Sequence, residues 1–244
     1  MIGALFALPF VALVVQAFAD IWRAPALLPQ EFGLRAWDAV VRSSGAIEAL
    51  INSVVVAVVV TGMALALAWP AARVLGERRL RHPGPVFVLL AMPILVPPFA
   101  IGAGLTQWFI RLGLTDTLIG LVLAHLTVVL PYAVLVLLSG FGPAVRELED
   151  MARASGLSPR QRLMWVTLPA LRPALAVSAF LCFLVSWSQY GLSLAVGAGR
   201  ATLPIVLLPF VRSDPQIAAL LSLLFIAPAL AALFVTVRVG RSPL

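Results

Sequence analysis

Charged side chains fall in blocks along this chain, and between the blocks lie six long intervals with no Asp, Glu or Arg: Met1 to Ala19, Ala49 to Ala72, His82 to Ile110, Thr117 to Val145, Pro173 to Gly199 and Pro215 to Val237. A helix rises about 1.5 Å per residue, so about 20 residues cross some 30 Å of hydrocarbon. A charge at the centre of such a helix costs roughly 2.5–3.5 kcal/mol on insertion scales. Each interval is long enough to cross. The pattern predicts an all-α, polytopic membrane protein with six transmembrane helices, over about 1–19, 48–72, 85–110, 117–140, 173–196 and 216–237. No internal repeat, low-complexity tract or second domain interrupts it, so residues 1–244 read as a single transmembrane domain.

Orientation follows from the connections. One alternate set holds Arg73, Arg78, Arg79, Arg81, Arg146, Arg153, Arg160, Arg162, Arg172, Arg238 and Arg241; the other holds Arg23, Arg35, Arg42, Arg111, Arg200 and Arg212. Cytoplasmic loops carry the excess of basic residues, which places both termini in the cytoplasm. Ala17-Phe18-Ala19 before Asp20 resembles a signal-peptidase site, but no basic segment precedes it. A retained first span is the expectation, with the true start placed upstream of Met1. The outside connection from Asp20 to Glu48 reads as a loop or short interfacial helix, with Trp22 and Trp37 at headgroup level.

The longest inside connection, residues 141–172, has the grammar of two helices with a break. Pro143 suits a first turn, Glu147, Glu149 and Asp150 are expected near the positive end of the helix dipole, and Gly156 supplies the stop. Ser158, Pro159 and Gln161 restart a helix with a hydroxyl cap and a capping box, and Pro169 and Pro173 are expected to end it and bend the chain back into the membrane. Leu148, Met151, Ala152 and Ser155 form a narrow stripe that needs a surface to lie on, either a partner protein or the bilayer interface.

This segment resembles the EAA loop of ABC importer permeases, in which E-A-A is followed after three residues by Gly and after nine more by an aliphatic, one residue and Leu-Pro. Here the match is Asp150-Met151-Ala152, Gly156, Val166, Leu168 and Pro169, with Asp150 in place of Glu and Met151 in place of Ala. The six-span order, Asn52-Ser53 in the second span and Pro93, Pro97 and Pro98 in the third are similar to the methionine-transporter-type permease core. The stretch at Gly197, Gly199 and Arg200 looks like a loop of the polyamine, iron and thiamine branch. The resemblance implies a permease subunit that provides the solute pathway, and a cytoplasmic coupling helix that docks on a separate ATPase through Glu149, Asp150, Met151, Ala152, Gly156, Val166, Leu168 and Pro169. It implies as partners an ATPase dimer with its ATP and Mg, a second permease copy or homologue, an extracytoplasmic substrate-binding protein and the lipid of a bacterial or archaeal plasma (inner) membrane. No enzymatic activity, no catalytic residue, no metal and no cofactor are expected in this chain, which lacks a phosphate-binding loop and has no lysine.

Composition agrees and narrows the alternatives. The chain is 62% hydrophobic and 11% charged. Its net charge of +7 lies in short loops between apolar runs, which speaks for orientation in a bilayer and against nucleic acid. The single cysteine, Cys182, lies in an apolar stretch and reads as a packing residue. Ser186, Gln189 and Ser193 repeat at i, i+3 and i+7 beside Tyr190, and with Asn52 and Gln107 they are candidates for the translocation pathway or for hydrogen bonds between helices. His125 is a further polar group in the fourth span. An ATP-independent secondary transporter or channel is the alternative, but it would need charged coupling groups inside the spans. An intramembrane hydrolase built on Ser139 and His125 lacks a third group to orient the histidine.

Overall fold

A computed structural model describes residues 2–23, 25–77, 80–197 and 199–240, with the side chains of residues 2–6 and 44 undescribed. Met1, Ala24, Ala198, Arg78, Arg79 and the tail from Arg241 lie outside the described residues, so the first residue of the first span and three arginines of the orientation argument are not placed.

The chain is built from helices. It opens with α1 (Ile2–Ala17), a short antiparallel pair of β1 (Ala19–Ile21) and β2 (Glu31–Phe32), and α2 (Arg35–Arg42). Then come α3 (Ser44–Gly76), α4 (Gly84–Leu95), α5 (Pro98–Arg111) and α6 (Leu118–Leu138). The segment that follows supplies α7 (Pro143–Ala154), α8 (Pro159–Arg162) and a π turn (Leu163–Thr167) that runs into α9 (Leu168–Trp187). α10 (Gly191–Val196), α11 (Leu203–Ser213) and α12 (Pro215–Gly240) close the fold.

Among the described residues, four helical rods are long and apolar enough to cross a membrane: Gly45–Gly76, Leu118–Leu138, Pro159–Trp187 and Pro215–Gly240. A fifth crossing exists if α4 and α5 count together, but they are bent by 97°. The continuous span expected over 85–110 is therefore broken. The cause is local: Val96 and Pro97 are extended, at ψ 131° and ψ 132°, because the residue before a proline is driven out of the helical region, and here two prolines follow one another.

The fifth interval corrects a second expectation. Pro169 and Pro173 do not end a helix; the rod runs through both to Trp187 and breaks only at Ser188–Tyr190. The wider π turn just before Pro169 puts that proline in the first turn of α9, where its missing N–H costs no hydrogen bond. The helix expected over 173–196 thus begins at 159 and stops short, and α10 is a separate piece.

α3, α6 and α9 form the centre. Val60, Ala64, Ala68 and Ala72 repeat every fourth residue along α3 and are fully buried, so the small side chains let the neighbouring backbones come close. Leu121, Val129, Ala133, Val134 and Leu137 of α6 and Leu171 and Cys182 of α9 complete this core. A second core gathers α1, α2, α11 and α12 around Trp187, which stacks between Phe183 and Phe225 and donates its Nε1–H to the Phe225 carbonyl at 3.0 Å. The third packs α5 and α10 against α6, with Thr106 donating to the Ala195 carbonyl at 2.9 Å. On the end opposite α7, Arg35 holds Asp214 in a two-pronged ion pair at 2.7 and 3.0 Å. The hydrogen bond from Arg35 holds the Asp214 carboxyl below its usual range, against a smaller opposing effect of burial.

Candidate functional site

Two groups of polar side chains stand out from the apolar scaffold, one at the α7 end and one buried between the central helices. The first group begins where α7 ends. Gly156 has φ +82°, its N–H bonds to the Arg153 carbonyl at 3.0 Å, and the Leu157 N–H reaches back to Ala152 at 3.1 Å. This double closure is the Schellman arrangement, which a left-handed glycine makes possible. Two residues later Ser158 and Gln161 form the reciprocal capping box that opens α8.

The acidic residues of α7 lie elsewhere than expected. None is in the first turn, so the helix dipole does not explain them. Asp150 is exposed and reaches Arg153 of its own helix at 3.4 Å. Glu149 points inward and is buried; its Oε2 accepts from Nη2 of Arg73 at 2.5 Å and its Oε1 from the Thr167 hydroxyl at 2.5 Å. Arg73 also binds Glu77 at 2.7 Å, and Arg146 donates to the Glu77 carbonyl at 2.6 Å. The stripe of Leu148, Met151, Ala152 and Ser155 divides: Ala152 turns into the fold, while Leu148, Met151 and Ser155 face outward. Met164 and Trp165 of the π turn are exposed too, at 62% and 71%, amid charged neighbours. Val166, Leu168 and Pro169 are half-buried at the root of α9.

The buried group centres on His125 of α6. Its Nδ1 lies 3.0 Å from Ser186 Oγ and its Nε2 3.0 Å from Ser193 Oγ. Ser193 donates its only hydroxyl proton to the Gln189 carbonyl at 2.6 Å, so it can only accept from the ring. The network therefore assigns the hydrogen to Nε2 and makes Ser186 the donor to Nδ1. Ser186 is on α9 and Ser193 on α10, so the imidazole spans the break in the fifth interval. The seven-residue spacing read as one helical face is instead two helices turned toward one ring. With Ser53, Gln189 and Thr202 these groups close round a space too small to admit a water molecule.

The remaining pathway candidates are dispersed. Asn52 is buried and donates to the Ala201 carbonyl at 3.2 Å, while Ser53 accepts from the Leu203 N–H at 2.8 Å; together they tie α3 to the 197–203 loop. That loop is also held by the Asp116 carboxylate, which accepts from the Gly199 N–H at 2.7 Å. Gln107 is exposed. Tyr190 is half-buried and lines an open groove of about 590 Å³ with Leu194, Ile205, Leu208 and Arg212. Sequence reading missed Arg73 and Thr167 as partners: Arg73 looked like one more cytoplasmic arginine, and no spacing rule joins residues so far apart in the chain.

Long apolar rods around a core of small residues, with a charged helical segment at one end, define a multi-pass integral membrane protein. No family model matches the chain. It is 32% identical over 176 residues to a putative ABC transporter permease protein, ORF1, of Streptomyces antibioticus, covering 68% of this chain and 73% of that protein. It is 30% identical over 226 residues to the molybdenum transport system permease protein ModB of Mycobacterium tuberculosis, covering 86% of this chain and 84% of the relative. Among solved structures, the inward-facing MetNI methionine ABC transporter has the same fold, with a TM-score of 0.63 at 16% identity over 81% of this chain and 95% of that one. The chain belongs to the permease proteins of ABC transporters and, among these, to the importers. Permease subunits of this family carry no ATPase site of their own.

Proposed function

We propose that this permease crosses the plasma membrane of a bacterial or archaeal cell six times, with α1 and the bent α4–α5 pair as the first and third crossings and both termini in the cytoplasm. It pairs with a second permease copy or homologue and receives solute from an extracytoplasmic binding protein. Residues 141–172 form the coupling loop, and α7 is the coupling helix that docks on an ATPase subunit holding ATP and Mg. Glu149, Asp150, Met151, Ala152, Gly156, Val166, Leu168 and Pro169 serve this loop. Closure of two ATPase subunits moves the paired loops and, with them, the rods that alternate access to the pathway.

The observation that carries this reading is the outward face of the loop. Leu148, Met151, Met164 and Trp165 are 43–71% exposed beside Arg146, Glu147, Asp150 and Arg153, a mixture of apolar anchors and charges suited to a protein groove. Asn52, Gln107, Ser186, Gln189, Tyr190 and Ser193 are the pathway candidates, and of these Tyr190 borders an open groove of about 590 Å³. Molybdenum oxyanion is the first solute to assay, because the ModB match runs over most of the chain. The test is disulfide cross-linking. In a Cys182→Ser background, Met151→Cys should cross-link to cysteines placed in the groove of the co-expressed ATPase, and ATP should change the yield. Absence of any cross-link with uptake intact rules the docking face out.

A further inference from the structure

Resting on the docking reading above, we infer that Glu149 is the positioning residue through which movement of α7 is delivered to the second-span and fifth-span rods at once. The carboxylate faces away from the outward surface that carries Met151 and Asp150, and it is only 7% exposed. Its two oxygens are divided between two elements: Oε2 is held by Arg73 in the last turn of α3, and Oε1 by Thr167, where the π turn enters α9. Both recipients are rods that run the depth of the fold, over Gly45–Gly76 and Pro159–Trp187.

The attachment is braced. Arg73 is fixed by its second bond to Glu77, and Arg146, one turn before Glu149 on α7, holds the Glu77 carbonyl. The chain entering α7 presses on the end of α3 so closely that a Cβ on Gly76 would lie 2.5 Å from the Phe141 carbonyl oxygen. α7 cannot shift without carrying this network along. Charge-assisted bonds suit the task, because they are directional and strong where water is excluded, whereas apolar contacts slide. A buried carboxylate that loses one donor is left uncompensated, so the two rods are penalised for moving apart from α7 or from each other.

The test uses the importer assembled with its ATPase and binding protein, and it reads the ratio of solute taken up to ATP hydrolysed. Glu149→Gln should keep ATPase association and stimulated hydrolysis while the ratio falls by roughly fivefold or more, the size of effect expected for a residue that carries coupling. Thr167→Val should lower the ratio less, and Thr167→Ser should restore it, because serine keeps the hydroxyl. Combining Arg73→Glu with Glu149→Arg should recover part of the ratio lost in either single exchange. An unchanged ratio in both Glu149→Gln and Thr167→Val overturns the proposal, as does parallel loss of association and hydrolysis, which would put Glu149 in the docking contact. Met151→Glu separates the two readings: it should abolish ATPase association, and if it does not, the docking face is wrong while the Glu149 ratio still reports on the joint.

Discussion

Gly156 shows how one residue can carry two roles that a single substitution would confuse. Its φ of +82° belongs to the left-handed region, where a side chain costs roughly 1–2 kcal/mol, yet a Cβ there would meet nothing within 4 Å. Space inside this chain therefore does not require glycine; backbone conformation does. Gly156→Leu would damage the helix end and any partner groove together. Gly156→Asn separates them, because asparagine tolerates the left-handed conformation and still adds bulk. We expect Gly156→Asn to keep the melting temperature near the parent value, whereas Gly156→Val lowers it by several degrees in detergent. If an ATPase groove approaches this backbone, Gly156→Asn nonetheless loses ATPase association. Normal association would show that the glycine serves the turn alone.

At the scale of elements, α9 and α10 meet at a break that His125 bridges from α6. Hydrogen bonds between membrane helices contribute roughly 0.6–2 kcal/mol each, and the ring makes two, to Ser186 and Ser193. His125→Ala should therefore lower thermal stability, and its effect should be non-additive with Ser186→Ala, because the two side chains share one bond. Additive losses would show that the ring does not work through Ser186. This bridge also marks the limit of what the sequence displayed. Charge-free intervals revealed the long rods α3, α6 and α12, because the cost of a charge in hydrocarbon acts on each residue independently of the fold. Ser158, Gln161 and Gly156 announced the turn between α7 and α8 for the same reason, since caps are local. Pro169 and Pro173 misled, because whether a proline breaks a helix depends on the turn before it, and no residue type signals a π turn. The inward swing of Glu149 was equally hidden, since its partners Arg73 and Thr167 come from other elements.

For the whole molecule, the continuous rod from Pro159 to Trp187 joins the α7 loop to the buried cluster at His125. Its 29 residues span about 43 Å at 1.5 Å per residue, enough to cross the hydrocarbon with its first turns outside. Charge asymmetry is the ground on which the α7 end is proposed to face the cytoplasm. Among the described residues the connections on the α7 side carry 8 arginines and the opposite connections 6, and positive residues are retained inside. Labelling with a membrane-impermeant maleimide tests this directly, because Cys182 is buried and can be replaced by serine first. Arg160→Cys, in exposed α8, should react only after the membrane is opened, whereas Arg212→Cys, in exposed α11, should react in intact cells. The inverse pattern would put the α7 loop outside, where no ATPase could reach it. Labelling at both sites from one side would break the rod into a re-entrant loop. The first result would overturn the orientation and the second the six-crossing arrangement, and either would remove the coupling through Glu149 that depends on an ATPase at α7.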